Sequence, residues 1–594
     1  MSRLPLFALF LLSGFSGLVF EILWVRISSL ALGVTVYAVS IVVSTFMGGL
    51  ALGGWLASFQ ADKHKLGVKT YALLELGIAA SALLATWFLG QLPHFATHSA
   101  MTVILASLAM LVPCTLMGAT IPVLTRAIFE PDQPSRVVGW LYATNTLGAM
   151  IGAFSADMFL VSRLGIWGTA LVAGSLNLTA GVVGLWLPTT TAPQRRVLKN
   201  PSPKGSLTRL FWAYGLAGIT SLALQVVWVR LLGVAIESKI WVVSTILTTF
   251  LGCLAVGSWL GSLLVGRIRH KRQALSRVFV AIGISSLLGA LALALMQESL
   301  WRPPLGDLLW KISLPFGPKG WGTVQCLAQS IILFGLPTLL MGLAFPLVCA
   351  VAFDEHEGIS QPIGQLYTVN TVGAIFGSFL AGFLLLPYLG VQWSFLALAL
   401  LSLLSAALVA PERISLALLL AVTVGCATLP ADWLIRRYHY PVYQRNYNIK
   451  PDQIVEFRED LYGSVAVGKN TMAGDVLMIN GTRMMSSDTA GRRYARLMAH
   501  LPLALHPKPK KMLVICFGLG MTFGAASLYP DLDLLQCVEL SPSVLAVAHH
   551  FSEYNENVIN RQDSRIRITL DDGRNFQFRT KERYDVITFE PPPP

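Results

Sequence analysis

Twelve apolar stretches, each near the roughly 20 residues a helix needs to cross a bilayer, fill most of the first 410 positions and leave this part of the chain few alternatives. They fall near 5–32, 36–59, 70–91, 98–125, 138–161 and 166–187, then near 209–234, 241–265, 275–297, 324–352, 364–387 and 393–410. The two sets of six resemble each other. Trp24-Val25-Arg26 returns as Trp228-Val229-Arg230, and Gly53-Gly54-Trp55-Leu56 as Gly257-Ser258-Trp259-Leu260, both 204 positions on. Met117-Gly118 with Pro122 returns as Met341-Gly342 with Pro346, and Leu141-Tyr142 with Asn145-Thr146 as Leu366-Tyr367 with Asn370-Thr371, at 224 and 225. The second copy therefore carries an insertion of about 20 residues, for which the Pro-, Gly- and Trp-rich run 298–323 is the natural place.

Charge divides the chain in the same way. Residues 1–430 hold 24 Lys and Arg against 13 Asp and Glu, whereas residues 431–594 hold 20 against 18. With only 13% charged residues overall, where soluble domains run near a quarter, a single soluble domain is excluded. The net charge of +13 belongs mainly to loops beside the bilayer. The second part has no basic stripe interleaved with aromatics, which argues against nucleic acid as a partner. Loops after even-numbered spans carry 15 Lys and Arg and those after odd-numbered spans five. The N-terminus and the even loops are therefore expected on the cytoplasmic side. The first 30 residues read as a span rather than a cleaved signal, because an internal copy matches them. Two repeats of six spans share one orientation, a plan similar to the two halves of major facilitator transporters. Seven cysteines form no CxxC pair, so neither a disulfide framework nor a metal site is expected.

Within the spans, Gly148 and Gly152, and their copies Gly373 and Gly377, have GxxxG spacing that suits close helix packing. Glu21, Glu75 and Asp157 are ionisable groups inside the membrane, and such groups mark functional sites by default. The alternative is structural, an ion pair with Arg26 or a hydrogen bond to Asn145.

Past residue 450 the pattern changes. Residues 454–483 alternate apolar and polar around Gly463 and Asn480-Gly481, which predicts a small antiparallel hairpin module, and 489–505 predicts a helix. Short β-rich runs follow at 512–516, 534–539, 566–570 and 584–589, alternating with helical segments, the signature of a parallel sheet with crossovers. After the first strand comes Cys516-Phe517-Gly518-Leu519-Gly520, and Glu539 ends the next strand 19 residues past Gly520. Glycines there allow close backbone approach to a ligand, and the acid suits the two ribose hydroxyls. Asp571-Asp572-Gly573 after the third strand suits an adenine edge, and Glu590 follows the fourth.

From about Glu456 onward the chain resembles the spermidine synthases, the polyamine aminopropyltransferases, and among them the membrane-fused bacterial forms. The resemblance rests on Ile479-Asn480-Gly481, Ala499-His500-Leu501-Pro502-Leu503, His506-Pro507-Lys508-Pro509, the glycine loop, Val538-Glu539-Leu540-Ser541-Pro542, Asp571-Asp572-Gly573-Arg574-Asn575-Phe576 and Tyr584-Asp585-Val586-Ile587. It implies decarboxylated S-adenosylmethionine as cofactor and transfer of its aminopropyl group to a diamine such as putrescine. Gly518, Leu519 and Gly520 would then line the cofactor, Glu539 hold its ribose, Asp571, Asp572 and Gly573 meet its adenine, and Glu590 stand where the family has its catalytic aspartate. The partners implied are the lipid bilayer, a diamine or polyamine and, as one option, a second copy of the chain. The sequence departs from the family at Cys516 for the first loop glycine, Leu519 for the acid between the next two, and Ala495-Arg496 for a His-Glu pair.

The organisation expected is a first membrane repeat over 1–187, a basic cytoplasmic linker over 188–208 and a second repeat over 209–410. A segment over 411–435 follows that either makes a thirteenth span or re-enters. Last come a hairpin module with its helix over 454–505 and a Rossmann-like, methyltransferase-type domain over 506–594 that reads as cut short. Three functions compete: aminopropyl transfer, methyl transfer from ordinary S-adenosylmethionine, and a transporter-like protein whose soluble part senses a nucleoside or polyamine. If residues 414–431 cross the membrane, the soluble part is extracytoplasmic; the reading preferred keeps it cytoplasmic, beside the adenosyl pool.

Overall fold

The computed structural model describes residues 4–32, 36–64, 66–95, 99–128, 134–188, 206–235, 240–314, 320–355 and 361–590. Most of the expected linker, with Arg195, Arg196, Lys199 and Lys204, lies outside them, as do the four final prolines. The chain divides into two compact units. One comprises Met1–Val229, Ile240–Leu385 and Val391–Ala431; the other comprises Arg230–Lys239, Leu386–Gly390 and Asp432–Pro594.

The first unit is helical throughout. Its first half runs α1 (Leu4–Leu32), α2 (Val36–His64), α3 (Val68–Phe95), α4 (Ser99–Ala127), α5 (Pro134–Ser155) and α6 (Val161–Trp186). Then come α7 (Ser206–Ala235), α8 (Ile240–Leu264), α9 (Lys271–Met296), the short α10 (Leu305–Ser313), α11 (Gly320–Ser330), α12 (Leu336–Glu355), α13 (Gln361–Phe379), α14 (Leu386–Val409) and α15 (Arg413–Ala427). Among the described residues, ten helical stretches are long and apolar enough to cross a membrane. The two longest, Pro134–Trp186 of 53 residues and Gln361–Val409 of 49, each contain a wide turn (Ala156–Leu160, Leu380–Leu385) and then a left-handed glycine, Gly165 at φ 67° and Gly390 at φ 69°. Those two glycines are 225 positions apart, the spacing of the sequence match in that region.

Helices pack where glycine removes the side chain. α1 packs on α5, α2 on α4, and α3 on α4 and α6. A Cβ at Gly14 would strike the Asn145 carbonyl, one at Gly148 the Leu11 carbonyl and one at Gly53 the Thr115 carbonyl. The counterparts behave alike: Gly218 meets the Asn370 carbonyl, Gly373 that of Gly215 and Gly257 that of Leu339. In a membrane, where lipid is as apolar as leucine, such close backbone approach is a main source of helix association. The run 298–323 contributes α10, and the apolar segment after 411 is the 15-residue α15, packed on α9. At 1.5 Å per residue that helix is only about 22 Å long, short of a hydrocarbon core of about 30 Å.

The second unit continues with a wide turn (Ile435–His439), α16 (Tyr440–Tyr447) and four antiparallel strands in sequence order: β1 (Ile454–Glu459), β2 (Ser464–Thr471), β3 (Gly474–Ile479) and β4 (Thr482–Ser486). The hairpin expected at 454–483 is thus a four-stranded meander. Its turns follow from local chemistry. Asp460 Oδ1 accepts from the amides of Tyr462 and Gly463 between β1 and β2, and Asn480-Gly481, both at positive φ, turn β3 into β4. Asp488 caps α17 (Thr489–Leu505) through the Gly491 amide at 2.6 Å.

Next come β5 (Lys511–Ile515), α18 (Met521–Ser527), β6 (Leu534–Glu539), α19 (Pro542–Val547), β7 (Ile566–Leu570), α20 (Gly573–Arg579) and β8 (Val586–Phe589). The sheet is parallel, in the order β7-β6-β5-β8. Every residue of β6 is buried, as expected for a parallel strand covered on both faces. One apolar core joins Val465, Val467 and Leu477 of the meander to Ala499 and Leu503 of α17 and to Met512, Val514, Leu535 and Cys537 of the parallel sheet.

Candidate active site

Counted from β5, the parallel order is 3-2-1-4, so the direction of strand addition reverses between β5 and β8. Open sheets of this kind bind ligands at that reversal, outside the carboxyl ends of the strands. The loop leaving β5 there is strained at three places: Cys516 has φ 68°, Gly518 φ 56° and Gly520 φ 80°. Left-handed backbone suits glycine but costs other residues about 1–2 kcal/mol, so Cys516 carries a penalty a glycine would not. Burial, and after it the charges of Glu539, Glu590 and Asp572, push the Cys516 thiol up to about 12. It is a neutral thiol and not a nucleophile.

Two buried carboxylates flank this loop. Glu539, at the end of β6, is only 6% exposed. Its Oε2 accepts from the Phe517 amide at 2.7 Å, and its Oε1 from the amides of Leu540 at 2.8 Å and Ser541 at 2.9 Å. Burial raises its pKa even so. A carboxylate has about four acceptor positions and three are taken here by backbone amides.

Glu590, after β8, is also 6% exposed. Its amide donates to the Ile515 carbonyl at 3.1 Å, which fixes it beside the loop. Its Oε1 hydrogen-bonds the Thr522 hydroxyl, whose oxygen is also 2.9 Å from the Ala495 carbonyl. A hydroxyl has one proton. The Thr522 hydroxyl donates to Glu590 Oε1, with the Ala495 carbonyl as a second acceptor nearby, so this contact favours the ionised carboxylate. Burial pushes the Glu590 carboxyl up to about 7, the Thr522 contact opposes the rise, and Glu539 adds to it. Its Oε2 is buried with no hydrogen-bond partner among the described residues. It points at Gly518, where a Cβ would come within 2.6 Å of it.

The other expected site residues are distributed around this centre. Leu519 is fully buried, and its carbonyl accepts from Asn555 Nδ2 at 3.1 Å. Asp572 Oδ1 caps α20 through the amides of Arg574 and Asn575, both at 3.0 Å. Asp571 accepts from the Asp572 amide and pairs with Arg579. Gly573 lies against Ile515. Sequence reasoning missed Thr522 and Asn555; the one signal available was the position of Thr522 two residues past Gly520.

The three acids within the apolar helices each have separate surroundings. Asp157 forms an ion pair with Arg26 and accepts from the Ser244 hydroxyl. Glu75 accepts from Asn177 Nδ2 at 2.6 Å, with Ser13 and Tyr71 beside it. Glu21 makes no hydrogen bond or ion pair among the described residues.

The parallel sheet, with its glycine loop and two buried acids at the strand reversal, defines an α/β fold. Residues 491–593 match the model of the spermine/spermidine synthase domain family. Putrescine N-methyltransferase 2 of Nicotiana attenuata is 29% identical over 142 residues, covering 24% of this chain and 38% of that protein. The polyamine aminopropyltransferase of Leptospira interrogans is 28% identical over 176 residues, 29% of this chain and 33% of its own length. That of Streptococcus pneumoniae is 31% identical over 114 residues, 19% and 39%. The chain thus spans about two fifths or less of the curated relatives it matches. The crystal structure of spermidine synthase from Thermotoga maritima aligns at TM-score 0.23 and 23% identity, over 25% of this chain and 49% of that one. The carboxyl-terminal part is therefore a spermidine synthase-like α/β domain.

Proposed function

We propose that this protein is a membrane-bound transferase that moves the aminopropyl group of decarboxylated S-adenosylmethionine to a diamine such as putrescine. The observation that carries the reading is Glu590 Oε2 at the strand reversal, a buried acceptor without a partner among the described residues, which suits the N–H groups of an amine. The residues present fit the cofactor: a loop with glycine at 518 and 520 that brings its backbone beside Glu590, one acceptor position left on Glu539, and Asp572 just past the end of β7. When bound, decarboxylated S-adenosylmethionine supplies an electrophilic carbon activated by its sulfonium. Glu539 and Asp572 orient the nucleoside. Glu590 takes a proton from the diamine ammonium and leaves a neutral nitrogen lone pair free to attack. A base near pKa 7 suits that task at neutral pH.

Methyl transfer is the second reading, favoured by the relatives named putrescine N-methyltransferase. Calorimetry with full-length protein, followed by product analysis with putrescine, tests both. Spermidine formed with the decarboxylated cofactor supports the first, and N-methylputrescine formed with the ordinary cofactor supports the second. Binding of neither cofactor refutes both, and binding without turnover favours the sensing role.

For the membrane part we read twelve crossings in two repeats of six. The breaks at Gly165 and Gly390 and the matched glycine–carbonyl contacts 204 and 225 positions apart support this. We read α15 as re-entrant or interfacial and the N-terminus as cytoplasmic. A reporter fused after Pro594 that is active only outside the cell would overturn the cytoplasmic assignment of the transferase domain.

A further inference from the structure

A second group of reactive side chains lies away from the strand reversal. The turn after α19 is a short, tight helix, Ala548–Phe551. Its two ends are locked: Ala548 and Phe551 are buried in the core, and Lys469 Nζ donates to the His550 carbonyl. That leaves His549 and His550 on the outside, their rings 4.1 Å apart. Glu456 reaches them from β1, 94 positions away, with Oε2 2.6 Å from His550 Nε2 and 3.9 Å from His549 Nε2. One ligand atom from each residue lies within 4.8 Å of the other two.

His550 Nε2 donates to Glu456 Oε2 in the 2.6 Å contact, and a cation would take the place of that proton. His549 Nδ1 lies 2.9 Å from the Ala546 carbonyl, which can only accept, so Nδ1 carries the hydrogen and Nε2 presents its lone pair. Orientation of an imidazole through its other nitrogen is what metal-binding histidines show. Arg458 Nε takes Oε1 at 2.5 Å, which leaves Oε2 as a single ligand oxygen.

Tetrahedral zinc, with bonds of about 2.0–2.2 Å to nitrogen and oxygen, holds its ligand atoms about 3.3 Å apart. The 2.6 Å pair must open and the 3.9 Å pair must close, each by less than 1 Å. We propose that Glu456, His549 and His550 form a binding site for a zinc-class divalent cation, with the fourth position open to water. The cation ties β1 of the meander to the turn after α19. Two imidazoles and one carboxylate favour zinc over the hard cations calcium and magnesium.

The test uses full-length protein in detergent, stripped of metal and titrated with zinc chloride against a chromophoric chelator. Cobalt chloride provides a parallel spectroscopic readout. One zinc per chain and a tetrahedral cobalt spectrum are expected. Glu456→Gln and His550→Ala each weaken zinc binding by about tenfold or more, the scale of a lost supporting interaction at a metal site. His549→Ala, whose ring is over half exposed, gives the same loss in a chain that still folds. Failure of wild type to take up zinc, or uptake unchanged in His549→Ala and His550→Ala, overturns the proposal.

Discussion

Glu590→Gln isolates one carboxyl proton. The folded pKa of Glu590 is raised from 4.5 to about 7. Below pH 4.5 both folded and unfolded chains hold the proton, and this group adds no pH dependence. Between pH 4.5 and 7 the unfolded chain releases it while the folded chain keeps it, so stability falls as pH rises; above pH 7 both are ionised and the loss is complete. At about 1.4 kcal/mol per pH unit, 2.5 units cost about 3 kcal/mol. Glutamine is neutral throughout, and its side-chain oxygen can accept from the Thr522 hydroxyl in place of Oε1. The variant should therefore match wild type near pH 4.5 and exceed it by about 3 kcal/mol above pH 7.5. Cys537 is fully buried in β6, so pulsed thiol labelling of this cysteine in increasing urea, read by mass spectrometry, reports unfolding of the parallel sheet. The same substitution should reduce transfer activity by about 100-fold or more and remove the acid limb near pH 7 from kcat/KM. A stability difference that does not change between pH 4.5 and 8 would refute the burial argument, whatever the activity shows.

Cys516→Gly relieves a left-handed cysteine. After the added flexibility of the unfolded chain is subtracted, it should stabilise the sheet by about 1 kcal/mol in the same labelling assay. Gly518→Ala places a methyl group 2.6 Å from Glu590 Oε2 and should weaken adenosyl-ligand binding about tenfold or more by calorimetry, at a folding cost of about 1–2 kcal/mol. Asp157→Asn leaves Arg26 without its partner in the membrane and should lower stability in detergent by about 3 kcal/mol, with Arg26→Gln in the same chain restoring part of it. A double-variant loss equal to the sum of the two single losses would show that the pair contributes nothing.

What the sequence made legible was whatever depends on neighbours along the chain. The helix 489–505 appears as α17 with those limits, because Asp488 caps it and His506-Pro507 ends it. The four parallel strands are compact apolar runs, and ten membrane-length helices follow from hydropathy. The rest depends on residues that meet only in three dimensions. Thr522 reaches Glu590 across 68 positions, Arg26 reaches Asp157 across 131, and Glu456 reaches His550 across 94. Cys516 was visible as a departure from glycine; its cost was not, since that depends on a backbone angle. Glu539 was visible as an acid at a strand end, while its three backbone donors come from two different loops.

Those three donors bear on how a ligand would enter. Phe517 belongs to the loop after β5, and Leu540 and Ser541 to the loop after β6. One carboxylate holds both loops in register before any ligand arrives, so little conformational entropy remains to be lost on binding. Association of an adenosyl ligand should then proceed in a single kinetic phase whose observed rate rises linearly with ligand concentration, without the plateau that a slow loop rearrangement would impose.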